Sequence, residues 1–129
     1  MKNELKFGIQ TNGIKHAHQD AMPDIDTRFR MASEAGVFDY VDKTPAADEM
    51  DAFEAASQKY GLPVRGSGWF YTLGNHRELM EKNLSIAKRL GSLVHNVQIM
   101  TCDNTGRPVT NEEVVETYLW AYELGQRSG

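Results

Sequence analysis

The chain has 129 residues, with 18 acidic against 14 basic side chains, a net charge of -4 at pH 7, four histidines and one cysteine. That length suits a single domain with a modest core. The acidic balance argues against a nucleic-acid backbone as partner, and a lone thiol rules out an intrachain disulfide framework and fits a reducing compartment. No apolar run approaches the roughly 20 residues that span a bilayer. The first residues, Met1-Lys2-Asn3-Glu4, lead into a strand and not into a signal core, so the expected location is the cytoplasm, with no membrane partner.

Residues 5–10 alternate, with Leu5, Phe7 and Ile9 on one face and Lys6, Gly8 and Gln10 on the other, which is the period of a strand. A polar loop follows over residues 11–23. It contains Asn12-Gly13 and His16-Ala17-His18, and it exceeds the roughly two to six residues usual for a strand-to-helix connection. Asp24 or Asp26 starts the first helix, whose apolar stripe is Ile25, Phe29 and Ala32. Ala35-Gly36 ends it, and a second strand occupies residues 38–43. Thr44-Pro45 then reads as an N-cap and first-position proline for a helix carrying Met50, Phe53, Ser57 and Tyr60. After Tyr60-Gly61 comes a third strand, residues 64 to about 69. Asn75 with Glu78 forms a capping-box pattern before a helix bearing Met80, Leu84, Ala87 and Gly91 along one side. Leu90-Gly91 hands over to a fourth strand, residues 93–100. Thr110 and Glu113 repeat the box for the last helix, with Val114, Val115, Tyr118, Leu119 and Tyr122 as its inner face and Leu124-Gly125 as its stop. Each stop relies on glycine taking the left-handed conformation without a Cβ penalty.

Four strand–helix units in a row imply one parallel sheet with right-handed crossovers, and a single domain over residues 1–129. Two architectures use that unit. An open, doubly wound sheet is covered on both faces and its strands read as continuous apolar runs. Here one strand face carries Lys6 and Gln10, Asp42, Arg65 and Ser67, Asn96 and Gln98, which suits a barrel covered only on its outside. The first turn also lacks the G-x-G-x-x-G of a dinucleotide site. The expected fold is therefore α/β: four consecutive βα units forming half of a (β/α)8 barrel, with helices on the outer face. A flavodoxin-like sheet binding a phosphate or nucleotide is the weaker alternative. The rhythm calls for another strand after the fourth helix, so the chain is expected to be cut short there.

Phe7-Gly8-Ile9-Gln10, then Ala35-Gly36-Val37-Phe38-Asp39-Tyr40-Val41-Asp42, then Ala87-Lys88-Arg89-Leu90-Gly91, in that order and spacing, resemble the first half of the xylose-isomerase-like TIM barrels, the sugar-phosphate isomerases and epimerases. The resemblance implies a sugar or sugar phosphate as substrate and metal-dependent proton transfer next to a carbonyl. It also implies a divalent metal for a complete barrel, held mostly by residues of later strands, with no ligand assignable to this chain. Asp42 matches the acidic residue that often ends the second strand in that family.

The barrel places its active site at the C-terminal strand ends. Gln10, Asp42, Ser67, Trp69 and Gln98 stand there as expected substrate-binding residues, with Met100 beside them. The amides and carboxylate would bond sugar hydroxyls, and Trp69, Phe70 and Tyr71 would form an apolar wall. In the competing reading, Gln10, Asp42 and Gln98 pair with Lys6 and Arg65 in a buried polar network, and the aromatic triplet packs over the mouth. His16 and His18 lack a third ligand at a suitable spacing and read as a solvated loop. His95 reads as a packed, hydrogen-bonded imidazole, His76 as surface, Cys102 as a loop thiol and Asp103-Asn104-Thr105-Gly106 as a turn. Two functions compete. One is the N-terminal half of a sugar isomerase or epimerase, inactive until joined by its C-terminal half. The other is a homodimer of half-barrels that binds a sugar or polyol without catalysis, driven by open sheet edges that need burial.

Overall fold

A glycine sits at the end of each of the first three helices. The computed structural model describes residues 4–11 and 23–129. In chain order these form β1 (Gly8–Ile9), α1 (Ile25–Ala35), β2 (Tyr40–Asp42), a 3-10 turn (Ala47–Glu49), α2 (Met50–Tyr60), β3 (Val64–Tyr71), α3 (His76–Leu90), β4 (Val94–Ile99) and α4 (Asn111–Ser128). Gly36, Gly61 and Gly91 adopt φ of 70°, 64° and 80° at the ends of α1, α2 and α3. The expected fourth stop is absent: α4 continues through Gly125 to Ser128. Asp24 caps α1 by accepting from the Thr27 amide at 2.7 Å. The box of α4 is complete, Thr110 accepting from the Glu113 amide while Glu113 accepts from the Thr110 amide, both at 3.2 Å.

Two expected caps fall elsewhere. Thr44 does not cap α2, which is entered through the 3-10 turn; its hydroxyl instead accepts from the Gly68 amide at 3.0 Å, tying the end of β2 to β3. Asn75 precedes α3 but makes no side-chain cap bond.

The four strands are parallel and lie in the order β1-β2-β3-β4. Strand order that follows the chain has no reversal point, which corrects the flavodoxin-like alternative. Right-handed crossovers in one direction place every helix on the same face of the sheet, as in half of a barrel. The register is staggered accordingly: Asp42, the last residue of β2, lies level with Gly66 near the start of β3 and with Val94, the first residue of β4.

One irregularity governs which side chains face where. Neighbouring Val41 and Asp42 oppose Val64 and Gly66, so Arg65 is an extra residue, a β-bulge. Val64 points to the helices before it. After it, the parity shifts by one, and Ser67, Trp69 and Tyr71 point to the helices while Gly66, Gly68 and Phe70 face the other way.

The core sits between sheet and helices in two parts. Phe29, Ala32, Val41, Phe53, Ala56, Leu62 and Val64 join α1 and α2 to the first strands, with Phe29 edge-on to Phe53 at 4.9 Å between ring centroids. Tyr71, Met80 and Leu124, flanked by Trp69, Val97 and Trp120, join α3 and α4 to β3 and β4. The inner face of α4 is thus Thr117, Trp120, Ala121 and Leu124. This corrects the expected assignment, since Val115, Tyr118, Leu119 and Tyr122 are exposed. The reason is geometric: α3 flanks α4 on one side, and among the described residues no helix flanks it on the other.

Candidate functional site

The sheet face away from the helices is built from polar side chains laid across glycines. Tyr40 lies over Gly8 of the neighbouring strand and Asp42 over Gly66, so that a Cβ at Gly8 would enter the Tyr40 ring and one at Gly66 the Asp42 carboxylate. A Cβ at Gly68 would sit 3.0 Å from the Asn96 carbonyl oxygen. Phe70 stands directly opposite Gln98, and its ring is 64% exposed. Gln10, two residues beyond Gly8, is exposed on the same face. A cleft of about 630 Å³ runs over this surface to the free edge of β4, between Tyr40, Asp42, Gly66, Asn96 and Tyr118 of α4.

Of the expected site residues, the structure therefore brings Gln10, Asp42 and Gln98 to one face and adds Tyr40, Phe70 and Asn96. Ser67 and Trp69 are on the opposite face, packed under the helices. The bulge at Arg65 is the cause, because a one-residue shift sends every following side chain to the other side. The aromatic triplet is divided in the same way: Phe70 faces the open side, Trp69 and Tyr71 the core. The proposed network with Lys6 and Arg65 is also absent. Lys6 stands 3.9 Å from Asp39, and Arg65 donates to the Gly91 carbonyl at 3.4 Å, both exposed.

Ser67 and His95 belong to a directional hydrogen-bond chain on the helix side. Ser67 Oγ donates to the Val94 carbonyl at 2.8 Å and lies 2.8 Å from His95 Nδ1. His95 Nε2 lies 2.7 Å from the Tyr71 hydroxyl, which accepts from Asn83 Nδ2 at 3.2 Å. With Asn83 donating at one end and Val94 accepting at the other, every proton is assigned when His95 is neutral and carries its hydrogen on Nδ1. Burial agrees with this: it holds His95 below the ordinary imidazole range and raises Tyr71 above its own, while Asn83 opposes the latter. The Ser67 hydrogen is committed to a carbonyl, so this serine is a structural partner and not a nucleophile.

The loop after β4 is fastened by charge. Asp103 Oδ1 accepts from the amides of Thr105 at 2.9 Å and Arg107 at 3.0 Å, which forms the expected turn. Arg107 also reaches Glu113 at 2.8 Å, and its guanidinium with the Thr110 amide pulls that carboxyl down to about 2. Cys102 pairs with Pro108 in a single antiparallel bridge. His76 stacks edge-on to Trp120 at 5.8 Å, and burial, helped by Arg77, lowers its pKa. His16 and His18 lie outside the described residues. Among the described residues no three His, Cys, Asp or Glu side chains gather as a metal centre. Among the described residues Asp42 is the one carboxylate lining the cleft on the open face, and a divalent cation needs several oxygen or nitrogen ligands. No helix among the described residues is long and apolar enough to cross a membrane.

No family model matches the chain, and no curated protein matches it. Among solved structures, it is similar to 3-keto-D-glucoside 4-epimerase, YcjR, from E. coli in its apo form, with a TM-score of 0.66 and 19% identity. The match covers 98% of this chain and 54% of that one, so the chain spans about half the length of the structure it resembles. The four βα units thus share the fold of about half of that structure.

Proposed function

We propose that this chain supplies the substrate-holding half of a carbohydrate isomerase or epimerase of the xylose-isomerase-like kind, and that its open sheet face takes a sugar or sugar phosphate. The similarity over 98% of the chain to a structure acting on a 3-keto-D-glucoside carries the reading. The face itself supports it. Asp42 accepts from sugar hydroxyls and the Asn96 amide both donates and accepts along the cleft, while Phe70 and Gln98 stand four residues further along β3 and β4, beyond its lining. The cleft between Tyr40, Asp42 and Asn96 is large enough for a monosaccharide. Proton abstraction beside a carbonyl needs a base held against the reacting carbon, and in this reading strands beyond these four provide it. The four units alone therefore bind and orient without turning over.

The test is a titration of the chain with a 3-keto-D-glucoside, followed by amide chemical shifts. Shifts clustered at Tyr40, Asp42 and Asn96, and a tenfold or greater loss of affinity in Asp42→Asn combined with Asn96→Ala, are expected. Saturable binding that leaves those amides unmoved would remove the reading, as would no binding at millimolar ligand.

A further inference from the structure

We infer that the end of the half-barrel formed by β4 and α4 is an interface that receives the β1 and α1 end of a second copy of this chain, so that two copies close one eight-stranded ring. The outer edge of β4 pairs with no strand among the described residues, and an unpaired edge next to apolar surface is a template for another strand. Exposed large apolar side chains gather at the two ends of the sheet. At one end are Leu93 and Val94 of β4 and its lead-in, with Val115, Leu119 and Tyr122 of α4; at the other are Leu5 and Phe7 beside β1. The α4 residues are spaced by four and three, which makes one continuous stripe for a packed helix.

Beside the start of β4 lies a cavity of about 430 Å³ lined by Met80, Leu84, Ala87, Leu93, Val97 and Ala121. Ser92 also lines it, and among the described residues its buried hydroxyl has no hydrogen-bond partner. An incoming strand fills such a cavity with side chains and offers its backbone to the serine.

A second copy suits this end because the chain carries both halves of the junction. Two-fold symmetry sets each β4 beside the other copy's β1, all parallel, and leaves no open edge. In the similar epimerase structure, the matched half is accompanied by nearly as much chain again. The inference rests on the fold and the exposed ends, not on the sugar reading.

Sedimentation velocity on the 129-residue chain at micromolar concentration tests it. A particle of twice 14.5 kDa is expected. Leu119→Glu with Tyr122→Glu should return a monomer with unchanged helix content, since both side chains are exposed in the single chain. Leu5→Cys with Leu93→Cys, in a Cys102→Ser background, should cross-link between chains because both residues lead into the strands that meet. A wild-type monomer at 100 micromolar would overturn the inference, and so would a dimer cross-linked through Leu119→Cys to itself. A dimer that ignores the 3-keto-D-glucoside leaves the interface standing and removes only the sugar reading.

Discussion

The two faces of the sheet use the same kinds of side chain for opposite ends. On the helix side, Asn83, Tyr71, His95 and Ser67 pass one hydrogen bond to the next until the Val94 carbonyl closes the chain. On the open side, Tyr40 and Asp42 lie over glycines and, with Asn96, line a cleft. Satisfied polar groups in a covered layer specify structure, whereas polar groups over a groove can bind a ligand without disturbing the core. Residue type does not separate the two roles; the face does.

The largest effect that separates the faces is a pair of truncations. Phe29→Ala empties a fully buried site against Phe53 and should cost about 3–5 kcal/mol by chemical denaturation. Phe70→Ala removes a ring of similar size from the open face and should fall within about 0.5 kcal/mol of the parent. Equal losses at both would mean that the open face is packed in solution.

A smaller effect probes the polar chain. Ser67→Ala leaves His95 Nδ1–H without its acceptor and should cost about 1–3 kcal/mol. The chain also predicts a pH dependence. Burial depresses the His95 pKa, so the unfolded state takes up its proton first on acidification. Stability from this group is complete above the ordinary imidazole value of about 6.5 and declines as pH falls through it toward the lower folded value. Urea midpoints at pH 8, 7, 6 and 5 should drop more in the parent than in His95→Gln, and parallel curves would contradict the lowered His95 pKa.

The smallest change in stability belongs to Gly66→Ala. Its Cβ would displace the Asp42 carboxylate, which is only half-buried and can swing aside, so the cost should stay below about 1 kcal/mol. Affinity for a 3-keto-D-glucoside should nevertheless fall severalfold, because the acceptor is no longer in place. Unchanged binding would take Asp42 out of the site.

Much of the fold was legible one element at a time. The apolar periods of Phe29, Phe53 and Met80, the glycines after α1, α2 and α3, and the box at Thr110 and Glu113 all act within a few residues, so they could be read without neighbours. The polar strand face pointed to one-sided helical cover for the same reason. Gln10, Asp42 and Gln98 reached the open face because they sit on strands without an interruption before them. Tyr40, Asn96 and Phe70 carried a visible signal, the alternation of their strands, but the glycines opposite Tyr40 and Asn96 become apparent only when strands are paired.

What the sequence by itself determined was the succession of strands and helices and their order in a parallel sheet, because propensity, caps and chain connectivity are local. Only the tertiary structure decided which side chains each strand shows to which face. The extra residue at Arg65 is invisible in β3 alone; it exists as a mismatch between β2 and β3, and it moved Ser67 and Trp69 into the core and Phe70 out of it. The fate of the α4 stripe was decided in the same way. Val115, Leu119 and Tyr122 have the spacing of a buried face, but burial requires a neighbour, and α3 occupies the other side.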